Sequence, residues 1–483
     1  MFVGIDAGTS VVKAAAFGAD GGIVAVESVP VGLDMRGGRV EQDTEQVYGA
    51  VEQVVRKLVA GLPAPPELAG LTGQGDGLWL VDAAARPVRP AISWMDGRAT
   101  GLLAGWMAGG VAGEVWRATG SAMFPGCPGP VLAWLDRHEP AALDAAATAA
   151  YCKDVIFQRF TGIRATDVSD ASMPFLDPRS RSYHEGAIEA CGLAHRAGLL
   201  APVEDPLPAG EARPGGTGLP AGTPVADGPF DLPACALGAG VTAPGDGLLI
   251  IGTTLACQVV VNRLDLDAEP AGFHLAMTRP GRWLRAMPAM VGTAALDWTL
   301  RTAGLRHEAV SGLLGESPPG AHGVGVLPYF APSGERAPFV EMKARAEFTG
   351  VSLETTPADL VRATCEGIAY AARHCLDAAG LTGELAVCGG GTRSEAWLQL
   401  FTDVLGRPIR IVSGEAGARG AVLAAAERFG TPLDVPAWTA ASARREPDPE
   451  RAAFYADGYA GYLDRVAAAR ERWAAAAGTG TGT

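Results

Sequence analysis

Lysine is scarce in this chain of 483 residues, where it occurs only as Lys13, Lys57, Lys153 and Lys343. None of them lies in a G-x-x-x-x-G-K-[S/T] sequence, so the chain lacks the motif of P-loop enzymes. The 7 histidines include no H-E-x-x-H pair, and the 8 cysteines include no C-x-x-C pair. We therefore expect buried, reduced thiols rather than a zinc site or a disulfide framework.

Long apolar runs are also missing, and none reaches the roughly 20 residues that a membrane-spanning helix requires. The N-terminus lacks the basic segment and long apolar stretch of a secretory signal. The net charge is -14, which suits neither nucleic acid nor an anionic membrane surface, because both attract basic proteins. The sequence predicts a soluble cytoplasmic protein.

The first turn of the chain carries the clearest chemical signal. The apolar run Phe2–Ile5 leads into Asp-Ala-Gly-Thr-Ser at 6–10, and a second apolar run follows at 11–17, which predicts a β-hairpin with a polar tip. Its glycine lets the backbone approach a ligand, and its N–H and hydroxyl groups suit phosphate oxygens. Asp6 suits a hard divalent cation. The alternative is an ordinary hairpin with an aspartate in its turn.

The same pattern returns further along the chain. An apolar run at 247–251 leads into Gly-Thr-Thr at 252–254, and another apolar run follows at 255–261. Two matching hairpins indicate two related halves that grip phosphates. A third turn, Gly-Gly-Gly-Thr-Arg-Ser at 389–394, lies between an apolar run and a helical pattern at 395–405.

With these turns in this order, the chain resembles the FGGY family of carbohydrate kinases. The resemblance runs from Phe2 to about Gly430. The sequence Gly-Glu-Arg-Ala-Pro at 334–338 matches the family's Gly-Glu-Arg-x-Pro, and the block 346–366 nearly completes a second family signature. The resemblance implies an α/β fold with two ribonuclease H-like domains of the actin and sugar-kinase type. It also implies ATP and Mg²⁺ as cofactors, with ATP in the inter-domain cleft and the sugar held mainly by the first domain.

Two segments resemble the sugar-site motifs of the family. Gly-Gln-Gly-Asp-Gly at 73–77 predicts a tight turn that presents Asp76. Trp-Met-Asp-Gly-Arg at 94–98 places Trp, Asp and Arg at alternating positions, which share one face of an extended segment. Asp96 and Arg98 can bind hydroxyls or hold each other in place. The alternative is a surface salt bridge beside a core tryptophan.

The details of these motifs bear on the substrate. Xylulokinases typically carry Met-His where this chain has Gly75 and Asp76, and Asn where it has Met95. Gly-Gln-Gly-Asp-Gly looks more like the erythritol kinase branch. A further family signature around Trp134 normally has Lys where this chain has Val131. The family is therefore better supported than the substrate, and a tetritol such as erythritol is placed slightly ahead of a pentulose such as xylulose.

Asp231 is the candidate catalytic base. It precedes a run of small residues, and by resemblance the family's general base stands at this place, before the second phosphate hairpin. Pro233 lies two positions further on, so a helix cap is the structural alternative for Asp231.

The predicted site residues fall into four groups. Asp6 is the candidate metal ligand and Asp231 the base. The candidate substrate ligands are Gln74, Asp76, Trp94, Asp96, Arg98 and Asp231. The candidate nucleotide ligands are Gly8, Thr9, Ser10, Lys13, Gly252, Thr253, Thr254, Gly389, Gly390, Gly391, Arg393 and Ser394.

The predicted domain boundaries follow the two hairpins. Residues 1–244 form the sugar-binding domain with the base, residues 245–440 form the nucleotide-binding domain, and residues 441–483 carry C-terminal helices and a disordered tail. The Pro- and Gly-rich segment 202–224 is predicted to be loop, residues 450–476 one or two helices, and residues 479–483 disordered.

The expected function is transfer of the γ-phosphate of ATP to a hydroxyl of a small polyol or ketose. Two other classes stay open: a non-catalytic sugar or nucleotide sensor, and an actin-like ATPase that acts on proteins. The presence of both Asp6 and Asp231 speaks against a sensor, and the segments 73–77 and 94–98 speak against an actin-like ATPase. The small molecule is the expected partner, and a homodimer is left open.

Overall fold

The computed structural model describes residues 1–412 and 414–478, so the predicted disorder at 479–483 lies outside the described residues. The chain divides into two compact units. The first comprises Met1–Thr242, Val261–Arg285 and Gly414–Ala440, and the second comprises Ala243–Val260, Ala286–Ser413 and Ala441–Thr483. The domain boundaries predicted at 244 and 440 stay predictions.

The strands are numbered in chain order. They are β1 Phe2–Ala7, β2 Val11–Phe17, β3 Ile23–Pro30, β4 Asp34–Arg36, β5 Arg39–Gln42, β6 Leu68–Gly73, β7 Trp79–Val81, β8 Ala91–Ile92, β9 Thr148–Ala150, β10 Thr166–Asp167, β11 Leu176–Asp177, β12 Ser182–Tyr183, β13 Val203–Glu204, β14 Ala209–Glu211, β15 Pro224–Asp227, β16 Gly247–Ile251, β17 Leu255–Val261, β18 Phe273–Ala276, β19 Trp283–Ala289, β20 Gly325–Leu327, β21 Glu347–Thr349, β22 Leu385–Cys388, β23 Ile409–Ile411 and β24 Ala443–Arg445.

The helices are numbered in the same way. They are α1 Thr44–Ala60, α2 Thr100–Ala108, α3 Val111–Thr119, α4 Pro128–His138, α5 Pro140–Ala145, α6 Cys152–Thr161, α7 Val168–Ala171, α8 Glu185–Ala190, α9 Asp231–Gly238, α10 Thr293–Thr302, α11 Val310–Glu316, α12 Pro357–Ala379, α13 Glu395–Leu405, α14 Ala416–Phe429, α15 Val435–Trp438 and α16 Pro449–Gly478. Short 3₁₀ helices lie at Ala194–Leu199, His307–Ala309, Ala321–Gly323 and Gly390–Arg393.

Six strands form the central sheet of the first unit, in the order β14-β15-β6-β1-β2-β3. The predicted hairpin joins β1 to β2, while β6 and β15 run parallel to β1. The core of this unit packs α1 and α6 against the sheet, with Val51 and Phe157 fully buried. The prediction of loop throughout 202–224 was wrong, because β13 and β14 lie inside it. Their strand pairing comes from distant partners and leaves little local signal.

A second sheet has seven strands, in the order β18-β19-β17-β16-β22-β23-β24. Its central strand β16 pairs antiparallel with β17 and parallel with β22, as β1 does with β2 and β6. On the far side β23 is parallel to β22 and antiparallel to β24, which matches β15 and β14 in the first sheet. The two sheets share one topology, as the two matching hairpins predicted.

Helix α14 lies against the backbone of the first sheet. A Cβ atom on Gly4 of β1 would lie 2.2 Å from the Ala418 carbonyl oxygen, and one on Gly70 of β6 would lie 2.2 Å from that of Ala421. A real Cβ does not approach backbone so closely, so only glycine permits this contact. The middle parts of β1 and β6 are therefore held against the first half of α14.

The same helix packs closely against α9, which begins with Asp231. A Cβ on Gly420 would lie 1.8 Å from the carbonyl oxygen of Ala234, and one on Gly238 would lie 1.9 Å from that of Ala416. The small-residue run predicted around α9 thus serves a close contact between two helices. This contact fixes α9 relative to β1 and β6.

Helix α12 has a local capping group at each end. Thr356 caps α12 in a capping box with Asp359, and Gly380 ends the helix in the left-handed conformation at φ 87°. Residues 449–478 form a single helix, α16. The eight cysteines are free, and seven of them are buried. Within residues 1–412 and 414–478, no helix is long and apolar enough to cross a membrane.

Substitution of Gly420 by alanine tests the contact between α9 and α14. Because the clash is with a backbone carbonyl at 1.8 Å, we expect Gly420→Ala to lower the free energy of unfolding by about 2 kcal/mol or more. Gly49→Ala is the matched control, since Gly49 also lies in a helix but a Cβ there would meet nothing within 4 Å. Urea unfolding of both variants measures the difference. Equal stability of the two variants would show that α9 and α14 can move apart for the added methyl group without loss of stability.

Candidate active site

The turn between β1 and β2 brings together the first predicted site residues. In the antiparallel register Asp6 lies opposite Lys13, and in the parallel pair with β6 it lies opposite Thr72. The Lys13 ammonium group lies 3.0 Å from a carboxylate oxygen of Glu415. Residues 8–10 form the tip of this hairpin, so their backbone groups follow directly after Asp6.

Asp6 is half-buried, and its carboxyl group holds a proton more tightly than usual. Burial raises the pKa of Asp6 to about 6; nearby Lys13 opposes this change and Glu415 adds to it. Gly417 of α14 keeps space beside the carboxylate, because a Cβ there would lie 2.9 Å from Asp6 Oδ2. The Asp6 carboxylate therefore lies close to the backbone of α14 at Gly417.

Asp231 is the first residue of α9 and does not cap it. Phe230 occupies the cap position, and it makes no side-chain cap hydrogen bond. The structural alternative of a helix cap was therefore wrong. The approach to α9 is held by β6, because the Thr72 hydroxyl donates a hydrogen bond of 2.8 Å to the Pro229 carbonyl oxygen. Tertiary contacts, rather than capping, place Asp231.

The Asp231 carboxyl group interacts with two other aspartates. Burial raises its pKa to about 8, and the negative charge of Asp6 is the next largest cause. A backbone hydrogen bond from Leu232 lowers this pKa, and the charge of Asp76 raises it further. The residues predicted as base, metal ligand and sugar ligand thus lie close enough to influence one another, although they come from three distant segments.

Asp76 lies in a tight turn, as its flanking glycines predicted. Its backbone is left-handed at φ 58°, which residues with a side chain rarely adopt. A Cβ on Gly75 would lie 2.4 Å from the ring of Phe230, and one on Gly77 would lie 2.6 Å from the carbonyl oxygen of Ile92. The two glycines let the turn pack next to the start of α9, which brings Asp76 near Asp231.

A hydrogen-bond chain joins the turn at 8–10 to two predicted sugar ligands. The Thr9 hydroxyl donates to Gln74 Oε1 at 3.1 Å, and Trp94 Nε1 donates to that hydroxyl at 3.0 Å. Gln74 Nε2 donates to Gln42 Oε1 at 2.8 Å, and Gln42 Nε2 donates to the Thr9 carbonyl oxygen at 3.0 Å. The Thr9 hydrogen is therefore committed to Gln74, which leaves its hydroxyl no donor for a phosphate oxygen.

The segment 94–98 forms a turn, so the prediction of an extended segment was wrong. The Asp96 carboxylate accepts hydrogen bonds from Arg98 Nε at 2.8 Å, from Arg98 Nη2 at 3.0 Å and from the Val40 N–H group at 2.6 Å. Arg98 also donates to Glu41 at 2.6 Å, and the Asp96 and Arg98 side chains are at most 1% exposed. The two residues hold each other, and their contact with substrate stays a prediction.

The predicted nucleotide ligands of the second unit lie in two turns. Residues 252–254 join β16 to β17, and the carbonyl oxygens of Gly252 and Thr253 accept hydrogen bonds from the first N–H groups of α10. Residues 389–394 join β22 to α13, where Ser394 caps the helix by accepting a hydrogen bond from the Trp397 N–H group. Each turn follows a strand at the centre of its sheet, as the turn at 8–10 does.

Three residues of this site were not predicted from the sequence. Gln42 completes the hydrogen-bond chain, Gly417 borders Asp6, and Ser169 accepts a hydrogen bond of 3.2 Å from the Phe230 N–H group. Gln42 is the last residue of β5 and stands in a polar run of the sequence, which is a weak signal. Gly417 and Ser169 lie in small-residue segments without a distinctive motif, so only their tertiary neighbours reveal them.

Oxygen ligands for a cation are present in the first unit, although the described part of the chain holds no group of three or more His, Cys, Asp or Glu side chains placed to bind a metal ion. Asp6 supplies a carboxylate with space beside it at Gly417. This arrangement fits Mg²⁺, which keeps several waters and commonly takes only one or two protein carboxylates together with substrate phosphates.

Solved sugar kinases share this fold. The xylulose kinase from Rhodospirillum rubrum has a TM-score of 0.87 and 29% sequence identity, and the comparison covers 98% of this chain and 99% of that one. The gluconate kinase from Lactobacillus acidophilus has a TM-score of 0.90 at 21% identity, covering 97% of this chain and 98% of that one. The fold is that of a two-domain carbohydrate kinase.

Family models match both halves of the chain. Residues 1–238 match the N-terminal domain of the FGGY family of carbohydrate kinases, and residues 247–428 match its C-terminal domain. The chain therefore belongs to the FGGY family of carbohydrate kinases. It is an ATP-dependent phosphotransferase with an alcohol group as acceptor.

Two relatives illustrate the range of the family. The erythritol kinase of Brucella abortus (strain 2308) is 35% identical, over 98% of this chain and 97% of the relative. The xylulose kinase of Escherichia coli (strain K12) is 31% identical, over 88% of this chain and 89% of the relative.

The raised pKa of Asp231 predicts a stability effect that depends on pH. An ordinary aspartate has a pKa near 3.8, whereas that of folded Asp231 is about 8. Between these values the folded protein holds a proton that the unfolded chain releases, so this group's contribution to stability falls as pH rises through that range. We expect Asp231→Asn to remove the penalty and to gain on the order of 2 kcal/mol over the wild type between pH 5 and pH 8.

Melting temperatures at pH 5, 6.5 and 8 measure this gain. Asp457→Asn is the control, because Asp457 is exposed on α16. A constant difference between Asp231→Asn and the wild type across this range would show that Asp231 is ionised in the folded protein throughout.

Proposed function

We propose that this kinase phosphorylates a small polyol, with a tetritol such as erythritol ahead of a pentulose such as xylulose. The observation that carries the proposal is the position of Asp76, held in a tight turn near Asp231. The 35% identity to an erythritol kinase over nearly the whole chain supports it.

The donor and acceptor chemistry of Asp76 favours a polyol over a ketose. An ionised carboxylate only accepts hydrogen bonds, and every hydroxyl of a polyol can donate one. The carbonyl oxygen of a ketose also only accepts, so it cannot donate a hydrogen bond to a carboxylate at this place. Trp94, whose indole N–H donates a hydrogen bond to the Thr9 hydroxyl, offers an apolar surface to the C–H groups of the substrate.

Asp231 is proposed as the base that receives the proton of the attacking hydroxyl. An alcohol is a far weaker acid than a carboxylic acid, so the proton moves late, as the bond between oxygen and phosphorus forms. Asp231 must be ionised to act, and the nearby charge of Asp6 disfavours that form. Orientation of the hydroxyl is therefore as important a task for Asp231 as basicity.

The phosphates of ATP are proposed to contact the glycine-containing turns. In the first turn, the exposed Ser10 hydroxyl and the backbone N–H groups are the donors, because the Thr9 hydroxyl already donates to Gln74. Lys13 supplies positive charge near Asp6. The turns at 252–254 and 389–394 are proposed to hold further phosphate oxygens and the adenine.

Asp6 is the proposed ligand of Mg²⁺, held directly or through water. When bound, the ion would neutralise charge on the phosphate oxygens that develops during transfer. The half-buried carboxylate and the space at Gly417 support this assignment. The cytoplasmic location and the homodimer considered from the sequence stay predictions.

A substrate panel tests the proposed function. ADP release is measured with ATP and Mg²⁺ on erythritol, other tetritols, pentitols, xylulose, other pentuloses and glycerol. We expect erythritol to raise turnover at least about 100-fold above the rate without sugar. We expect Asp231→Asn to lower the turnover with erythritol at least about 100-fold. Asp457→Asn is the matched control and should keep full activity.

Each failure of this panel has a different meaning. Highest turnover with xylulose would overturn the preference that Asp76 carries. Full activity of Asp231→Asn would remove Asp231 as the base. ATP turnover that ignores every sugar would favour the actin-like ATPase instead.

Gly417→Ala tests the place of Asp6. The added Cβ would lie 2.9 Å from Asp6 Oδ2 and displace the carboxylate, so we expect kcat/KM for ATP with Mg²⁺ to fall about 10-fold. Gly417 lies in a helix without a left-handed backbone, so the melting temperature should stay within about 2 °C. Gly49→Ala serves as the control for an added methyl group. Unchanged activity of Gly417→Ala would show that the exact position of Asp6 is unimportant.

A further inference from the structure

A fully buried lysine lies at the centre of four aspartates in the first unit. Lys153 Nζ is 2.8 Å from Asp154 Oδ1, 3.0 Å from Asp167 Oδ1, 3.2 Å from Asp170 Oδ2 and 3.2 Å from Asp227 Oδ2. The Lys153 side chain is 0% exposed, and none of the four aspartates exceeds 2%. These five residues, here called the lysine cluster, tie together the start of α6, the segment around α7 and the end of β15.

The charges of the lysine cluster make it a rigid unit. Burial alone would lower the pKa of Lys153, but the surrounding carboxylates outweigh it and raise this pKa well above its ordinary value. Burial also raises the pKa of Asp170 and of Asp227 well above the ordinary value. The Lys153 ammonium group holds its four carboxylate partners in place, because a buried charge left without a partner is costly.

Two contacts connect the lysine cluster to the residue proposed as the base. Asp227 is the last residue of β15 and stands four positions before Asp231. At the other end of this short segment, the Phe230 N–H group donates to Ser169 Oγ at 3.2 Å, and Ser169 lies on α7 between Asp167 and Asp170. The lysine cluster therefore holds one end of the segment 227–230 through Asp227, and Ser169, which lies between two of its members, holds the other end.

The start of α6 also contacts the predicted sugar ligand Gln74. Cys152 stands next to Lys153, and its sulfur accepts a hydrogen bond of 3.9 Å from Gln74 Nε2. One buried element thus contacts both the segment before Asp231 and the turn that carries Asp76.

We propose that the lysine cluster, acting through Ser169 and Asp227, is the device that positions Asp231 for phosphoryl transfer. This inference rests on the proposed role of Asp231 as the base. Ser169, Asp227 and Lys153 are positioning residues in this account, since they act through the segment 227–230 and not on the substrate.

Ser169→Ala tests the inference with little disturbance of the core. It removes the acceptor of the Phe230 N–H group and should lower kcat for erythritol, or for the panel substrate with the highest turnover, about 10-fold. The KM for ATP and the rate of ATP hydrolysis without sugar should stay unchanged, because neither depends on the position of the base. Ser169→Thr keeps the hydroxyl and should restore kcat.

Ser172→Ala is the matched control. Ser172 directly follows α7, is buried, and its Oγ also accepts a backbone N–H group, that of Ala276 at 3.0 Å, which lies away from the segment 227–230. Its kcat should remain within about twofold of the wild type. Both variants should show the same melting temperature within about 2 °C.

The outcomes separate the two proposals. If Asp231→Asn loses activity while Ser169→Ala and Ser172→Ala have equal kcat, the positioning role is wrong and the base stands. If Asp231→Asn keeps full activity, the proposed base fails, and the positioning inference falls with it. A loss in Ser169→Ala that Ser169→Thr does not reverse would also overturn the inference.

Discussion

Helix α14 meets the backbone of three other elements in the first unit, and the placement of the candidate site depends on that contact. Gly4 on β1, Gly70 on β6 and Gly238 on α9 each lie where a Cβ would overlap a carbonyl oxygen of α14. With no side chains between them, these elements are fixed to one another by hard-core repulsion and close packing. The contact holds Asp6 at the end of β1 near Asp231 at the start of α9.

The candidate site brings several carboxyl groups close together, an arrangement that does not benefit the stability of the fold. Asp6, Asp76 and Asp231 come from separate segments, and the resulting pKa of Asp231, about 8, reflects burial and mutual repulsion. A lone buried carboxylate lowers stability, so such groups are typical of functional sites. The cluster around Lys153 is different, because a central ammonium group compensates its carboxylates.

Local patterns predicted those parts of the fold and site that depend on a few neighbouring residues. The hairpin at Asp6 and the turn around Asp76 follow from the positions of glycine and of the apolar runs. The predictions of an extended segment at 94–98 and of a loop at 202–224 were wrong. In both segments, contacts with distant partners override a weak local preference. The alternating Trp-Asp-Arg pattern suits a strand, yet Asp96 accepts hydrogen bonds from Val40 and Arg98 in a turn.

The sequence by itself determined the family, the two related halves and the residues able to carry the chemistry, because turns, caps and motif spacing are local properties of the chain. Tertiary structure decided which of those residues meet. It committed the Thr9 hydroxyl to Gln74 and placed Asp231 beyond the cap of α9. It also brought Ser169 to the Phe230 N–H group. These outcomes depend on contacts between segments tens to hundreds of residues apart, whose geometry follows from packing and burial rather than from any local pattern.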